Sequence, residues 1–221
     1  MNKRLITIGF LILAFAIAVK LVVTIGKNIK VDDFHKASIV FVLDSSASNQ
    51  SMLADEIRYV KSLCSILDPE DAIKILKVDD SSYLIYEGSP GDTSGISKAI
   101  NSYIKNDGQE KGTAYALAMK KAVEHSLTMK KEGYNAAIVV LGDLDPSYAS
   151  MGINWATFPD NIKKTKQYIP ELAMMFVYAP PEQLDLVKSK LNPVLGETKL
   201  IIANSANADK ASRRFLTAIG R

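Results

Sequence analysis

The sequence predicts an α/β domain: a doubly wound, mainly parallel sheet with helices on both faces. Three features point there. Two continuous apolar runs rich in β-branched residues, 37–43 and 136–141, read as central strands covered on both sides. Strand-like and helix-like stretches alternate along the chain after residue 36, the pattern of a sheet built through helical crossovers. Each of the two buried strands also runs directly into a polar turn: Asp44-Ser45-Ser46-Ala47-Ser48 after the first, Gly142-Asp143 after the second.

After the 37–43 strand, Leu53, Ile57, Val60, Cys64 and Leu67 recur at three- and four-residue steps, which predicts a helix turned to the sheet and ended by Asp68-Pro69. Residues 73–78 and 83–86 read as short strands joined by Asp79-Asp80-Ser81-Ser82, close enough for a hairpin. A short helix is expected over 96–104, then a polar loop over 106–111 that delivers Gly112-Thr113. Ala116, Met119, Val123 and Leu127 continue as an amphipathic helix that leads into the 136–141 strand. Two further strands, 171–178 and 198–203, alternate with helices near 181–191 and 208–219.

The chain divides into residues 1–26, a tether over 27–36, and a single domain over 37–221. Residues 5–19 carry no charge, and apolar character resumes after Lys20 through residue 26. At about 1.5 Å per helical residue this stretch spans about 30 Å of hydrocarbon, with Lys20 able to snorkel, so it reads as a single-pass transmembrane anchor. A cleavable signal peptide is the competing reading, because Lys3 and Arg4 precede the run and Ala14-Phe15-Ala16 resembles a cleavage site. Lys3 and Arg4 favour an N-in arrangement, with the soluble domain on the extracytoplasmic side.

Of the 27 Lys and Arg residues, Lys3, Arg4 and Lys20 precede the tether, which leaves 24 against 24 acidic residues. That balance gives no footprint for nucleic acid. The one cysteine, Cys64, falls on an apolar helical stripe and reads as a small buried hydrophobe. His35 and His125 have no metal-type partner at a useful spacing, and the paired lysines and arginines Lys120-Lys121, Lys130-Lys131, Lys163-Lys164 and Arg213-Arg214 read as solvated helix faces.

Asp44, Ser46, Ser48, Thr113 and Asp143 supply two carboxylates and three hydroxyls, with no His or Cys. Those hard oxygens suit Mg²⁺ or Mn²⁺ rather than Zn²⁺. In an open parallel sheet, the loops at the carboxyl ends of the strands converge where successive crossovers leave in opposite directions, and that rule would bring Asp44 and Asp143 together. A cation held there with a coordination position left open would accept an Asp or Glu carboxylate from a protein partner. The plainer reading of Asp-Ser-Ser-Ala-Ser alone is a turn and helix cap.

These residues resemble the von Willebrand factor A family, whose metal-ion-dependent adhesion site (MIDAS) is written Asp-x-Ser-x-Ser, a later Thr and a later Asp. The order of strands and helices over about 37–220 agrees with it. The resemblance implies a doubly wound α/β domain, with Ser46, Ser48 and Thr113 as direct ligands and Asp44 and Asp143 acting largely through water. It implies metal-bridged protein binding rather than turnover. Ala47 and Leu144 stand where that family commonly has glycine.

Two alternatives are a metal-free scaffold keeping only the fold, and a haloacid-dehalogenase-like phosphatase with Asp44 as nucleophile and Asp143 and Asp145 as metal ligands. The phosphatase lacks an acid/base group, because Ser46 stands where a second Asp is needed. The connection over 146–159, with Tyr148, Met151, Trp155 and Phe158, reads either as a recognition rim beside the metal or as ordinary packing.

Overall fold

A computed structural model describes residues 36–104, 112–146 and 148–221. The proposed anchor and most of the tether lie outside the described residues. Among the described residues no helix is long and apolar enough to cross a membrane. The chain separates into Met1–Phe34 and His35–Arg221, and the elements below belong to the second unit.

Strand β1 (Ala37–Asp44) is buried at every position, as a run apolar on both faces must be, and is followed by helix α1 (Gln50–Ser65). Strands β2 (Ala72–Val78) and β3 (Ser82–Gly88) form the hairpin expected from Asp79–Ser82, with a register shift between Ile75 and Leu76. Helices α2 (Thr93–Tyr103) and α3 (Tyr115–Lys131) precede β4 (Asn135–Leu141). Then come α4 (Phe158–Thr165), β5 (Ala173–Val177), α5 (Pro181–Leu195), β6 (Leu200–Ala203) and α6 (Ala208–Ala218).

The six strands lie in the order β3-β2-β1-β4-β5-β6, parallel except for β3. From β1 the sheet grows outward through β2 and β3, then returns to β1's other side and grows through β4, β5 and β6. The reversal point is the crevice between the carboxyl ends of β1 and β4.

Alternation along β1 divides the core. Ile39, Phe41 and Leu43 face Leu53, Val60 and Leu63 of α1 and Phe215 of α6. Val40 and Val42 face the layer of α3, α4 and α5, including Met119, Ile162 and Val187. This is the two-faced covering that the apolar runs predicted.

The structure moves several boundaries. β5 begins at Ala173 rather than Glu171 and stops at Val177, because Tyr178 takes a φ of 65° and leaves the strand. β6 begins at Leu200 rather than Thr198, and α5 continues past Leu191 through Pro193 to Leu195. The 146–159 connection is shorter than expected, because Phe158 and Pro159 open α4. A proline in the first turn gives up an N–H that had no helical acceptor.

Candidate metal centre

Asp44 ends β1 and is fully buried. Its Oδ1 accepts the Ser46 N–H at 2.8 Å, a short turn that folds the serines back over the strand end. Ser46 Oγ and Ser48 Oγ lie 3.2 Å apart, Ser46 buried and Ser48 exposed. Asn49 ties the loop from below. Its amide donates to the Asp44 carbonyl at 3.0 Å and to Glu56 Oε2 at 2.8 Å.

Thr113 reaches the crevice from the other side of the fold. Its N–H donates to the Pro146 carbonyl at 3.2 Å, and the next residue's N–H donates to the Asp79 carbonyl at 2.7 Å. The Thr113 segment is thereby pinned between the loops that follow β2 and β4. Thr113 is fully buried, yet its Oγ1 has no hydrogen-bond partner.

Asp143 is half-buried just past β4, and its Oδ1 accepts the Asp145 N–H at 2.8 Å. Gly142 makes the approach of this loop possible. At φ 149° it sits in backbone that L side chains rarely adopt, and a Cβ there would lie 2.6 Å from the Cβ of Asp44. The loops carrying Asp44, Thr113 and Asp143 therefore meet at the β1–β4 crevice.

Three further residues of the centre escape a reading of the sequence. Tyr115, at the start of α3, is fully buried; its hydroxyl donates to Asp44 Oδ2 at 2.5 Å and accepts the Leu144 N–H at 3.0 Å. One phenol thus bridges the β1 and β4 loops. Glu56 and Asn49 form the floor, both buried. Glu56 was detectable: it stands three residues after Leu53 and four before Val60, so a carboxylate occupies the apolar stripe of α1.

The electrostatics of the crevice are one-sided. Burial pushes the Asp44 carboxyl up to about 7, the Tyr115 and Ser46 hydrogen bonds pull against that rise, and the Asp143 charge adds to it. Burial likewise lifts Glu56 to about 8, against the Asn49 hydrogen bond and with the help of Asp44 and Asp143. Burial, then the neighbouring Asp44 carboxylate, holds the Tyr115 phenol well above its ordinary value. Among the described residues, no three His, Cys, Asp or Glu side chains are grouped so as to hold a metal ion, so a cation here would draw on other oxygens, the hydroxyls among them.

The donor set fits such an ion. Two carboxylates, a hydroxyl pair and an unsatisfied buried hydroxyl are oxygen donors of the kind Mg²⁺ takes, and the orphaned Thr113 Oγ1 is a buried group that a ligand would satisfy.

Residues 39–145 match the model of the von Willebrand factor type A domain. The chain carries a von Willebrand factor type A domain. No curated protein matches it by sequence. Among solved structures it is similar to an aerotolerance-related membrane protein from Bacteroides fragilis, at 15% identity and a TM-score of 0.58 over 83% of this chain and 98% of that one. It is equally similar to the conserved hypothetical protein BatB from Bacteroides thetaiotaomicron, at 14% identity and a TM-score of 0.58 over 84% of this chain and all of the other. Proximal thread matrix protein 1 from the mussel byssus, solved with zinc in its MIDAS motif, matches at 14% identity and a TM-score of 0.53. The match covers 84% of this chain but only 47% of the mussel chain. At these identities the likeness is one of fold.

Within the von Willebrand factor type A domain, the two departures from glycine have different consequences. Ala47 is exposed and leaves the turn intact. Leu144 carries a φ of 60°, which explains why glycine suits that position, and it is held there by burial and by the Tyr115 hydroxyl. In the 146–159 connection, Trp155 packs edge-on against Phe158 with ring centroids 5.9 Å apart, while Tyr148 is exposed.

Proposed function

We propose that this von Willebrand factor type A domain is a metal-dependent protein-binding module, held at the membrane by residues 5–26 with the domain on the extracytoplasmic side. Ser46, Ser48 and Thr113 would hold Mg²⁺ or Mn²⁺ directly, and Asp44 and Asp143 would act largely through water. The observation that carries this reading is the buried, unpartnered Thr113 Oγ1, set where the Asp44 and Asp143 loops meet. A buried polar group left unsatisfied costs about 1–3 kcal/mol, which a bound cation at that point would offset.

The charges support the same reading. The Asp143 charge raises the protonation of Asp44 and Glu56, Asp44 raises that of Glu56 further, and no Lys or Arg is among the main influences on either. A divalent cation supplies the missing positive charge and, when bound, Lewis acidity toward an incoming carboxylate. The chain's own residues do the rest: the Asp44–Ser46 turn orients the serines, and Tyr115 fixes the spacing of the two loops. An Asp or Glu from a protein partner fits this chemistry, and turnover is not part of the reading.

One observation favours a metal-free scaffold instead. The Tyr115 hydroxyl already satisfies Asp44 Oδ2, so the carboxylate is tied without any ion. Isothermal titration of the full chain in detergent with Mg²⁺ and Mn²⁺ separates the two. Binding in the wild type that Asp44→Ala and Thr113→Ala abolish or weaken at least about ten-fold supports the metal site. Equal heats in all three proteins would leave the scaffold.

A further inference from the structure

We propose that the open edge of β6 takes an extended, uncharged peptide segment of a protein partner as a seventh strand of the sheet. The site lies two strands away from β4 and needs no cation, so it stands apart from the metal reading.

β6 ends the strand order and has a neighbour on one side only. The Met174 N–H donates to the Lys199 carbonyl at 2.8 Å and the Tyr178 N–H to the Ala203 carbonyl at 3.1 Å, with Met174 opposite Leu200 and Phe176 opposite Ile202. Successive residues of a strand turn their main-chain groups to opposite sides in the plane of the sheet. Lys199, Ile201 and Ala203 therefore serve β5, and Leu200 and Ile202 face the open edge. Of their four groups, the Leu200 N–H is taken by the Gly196 carbonyl at 3.0 Å, and the Ile202 carbonyl is reached by the Asn207 amide at 3.5 Å. The Leu200 carbonyl and the Ile202 N–H have no partner among the described residues.

This edge is set in a groove of about 500 Å³. One wall is a face of α5, where Pro181, Asp185, Lys188 and Asn192 recur at three- and four-residue steps; the other is Asn207, just before α6, and Arg214 within it. The α5 wall runs about 16 Å from Pro181 to Asn192, and the four residues of β6 run about 13 Å, a length for four or five extended residues. Leu184, Leu200 and Ile202 give the groove an apolar floor, over which an added strand would place alternate side chains.

The charges around the groove balance, Asp185 and Glu197 against Lys188 and Arg214. Asp185 already pairs with Lys188 at 3.3 Å, and the Arg214 guanidinium donates to the Glu197 carbonyl at 3.3 Å. An uncharged segment with apolar residues at alternate positions complements this lining. The walls favour a lone strand over a second copy's β6, whose own α5 and α6 would have to pass between them. The sheet's other edge suits strand addition less. There Ile85 of β3 falls between Leu84, opposite Leu76, and Tyr86, opposite Ile75, and such a bulge hinders pairing.

Phage-displayed random heptapeptides selected on the full chain in detergent test the assignment, with chelator present to keep cations out of the Asp44–Asp143 crevice. Enriched peptides should alternate apolar and small polar residues and carry no net charge. A synthetic copy is then added while amide exchange is followed by NMR. In the free chain the Ile202 N–H should exchange at least about 100-fold faster than the Ile201 N–H, which faces β5. Saturating peptide should slow Ile202 at least about ten-fold. N-methylation of one alternate set of the peptide's residues should abolish that protection, and of the other set should not, because only one set faces β6.

Ile202→Lys, which puts a charge on the apolar floor, should weaken the peptide at least about ten-fold. If that variant misfolds, Asn192→Trp serves, filling the groove from the α5 wall. No enriched peptide, enriched peptides of high net charge, or an Ile202 rate that saturating peptide leaves unchanged would each overturn the proposal. An Ile202 N–H that is slow in concentrated chain and fast on dilution marks a second copy as the occupant and overturns it as well.

Discussion

Tyr115 donates a 2.5 Å hydrogen bond to Asp44 across 71 positions of sequence, and the same hydroxyl accepts the Leu144 N–H. Buried groups from the end of β1, the start of α3 and the loop after β4 therefore meet at one oxygen. Tyr115→Phe keeps the ring and removes only that oxygen, leaving a buried carboxylate oxygen and a buried N–H without this partner. The expected cost is about 2–4 kcal/mol in urea unfolding, with an unchanged m-value, because each orphaned group costs about 1–3 kcal/mol. A loss below about half a kcal/mol would mean that water takes over both bonds.

Gly142 tests the same junction from the β4 side. Gly142→Ala places a Cβ 2.6 Å from the Asp44 Cβ, at a φ of 149°. Overpacking and backbone strain add in this case, and about 2–4 kcal/mol of stability should be lost. The damage should also spread to the site, so any Mg²⁺ heat measured by titration should fall with it.

At Leu144 two effects oppose. Its φ of 60° costs a branched side chain about 1–2 kcal/mol that glycine would avoid. Its side chain, only 6% exposed, packs in the core with Tyr115, and deleting such a leucine costs about 2–5 kcal/mol. Packing outweighs strain, so Leu144→Gly should destabilise by about 1–3 kcal/mol although it restores the residue common in the family. Thermal unfolding that rises instead would show that strain dominates.

Much of this architecture is legible in the sequence because the strong signals are local. Residues 37–43 and 136–141 are apolar on both faces, and only a central strand between two layers of helices accommodates that. The turn Asp44–Ser48 and the Gly142-Asp143 pair follow those strands directly, so their edge of the sheet can be inferred. Tyr115 cannot be, because its role depends on a partner 71 positions away. The buried face of α3 also differs from the expected one. Ala118, Ala122 and Ser126 pack on the sheet, while Ala116 is exposed and Val123 and Leu127 are half-buried. Small residues let the helix approach closely but carry little hydropathy, so a search for large apolar side chains passes over them. Glu56 escapes for the converse reason, since a charged residue is passed over when an apolar stripe is traced.

Glu56 supplies the pH dependence. Its carboxyl rises from an unfolded value of 4.5 to about 8 in the folded protein, chiefly through burial. Between those values the native state holds a proton that the unfolded chain has released, so stability falls as pH rises through the window and is greatest below the unfolded value. The limiting slope is about 1.4 kcal/mol per pH unit. Asp44, raised to about 7, acts in the same direction. Urea unfolding in the presence of chelator from about pH 5 to 8 should therefore show declining stability, and Glu56→Gln should flatten the decline without abolishing it, because Asp44 still titrates. Adding Mg²⁺ should flatten it too if the cation binds, since a positive charge in the crevice favours both ionised carboxylates. A wild-type profile that rises with pH in chelator would mean that the buried Glu56 is held ionised by a partner on the folded side, and the floor of the crevice would have to be rebuilt around that charge.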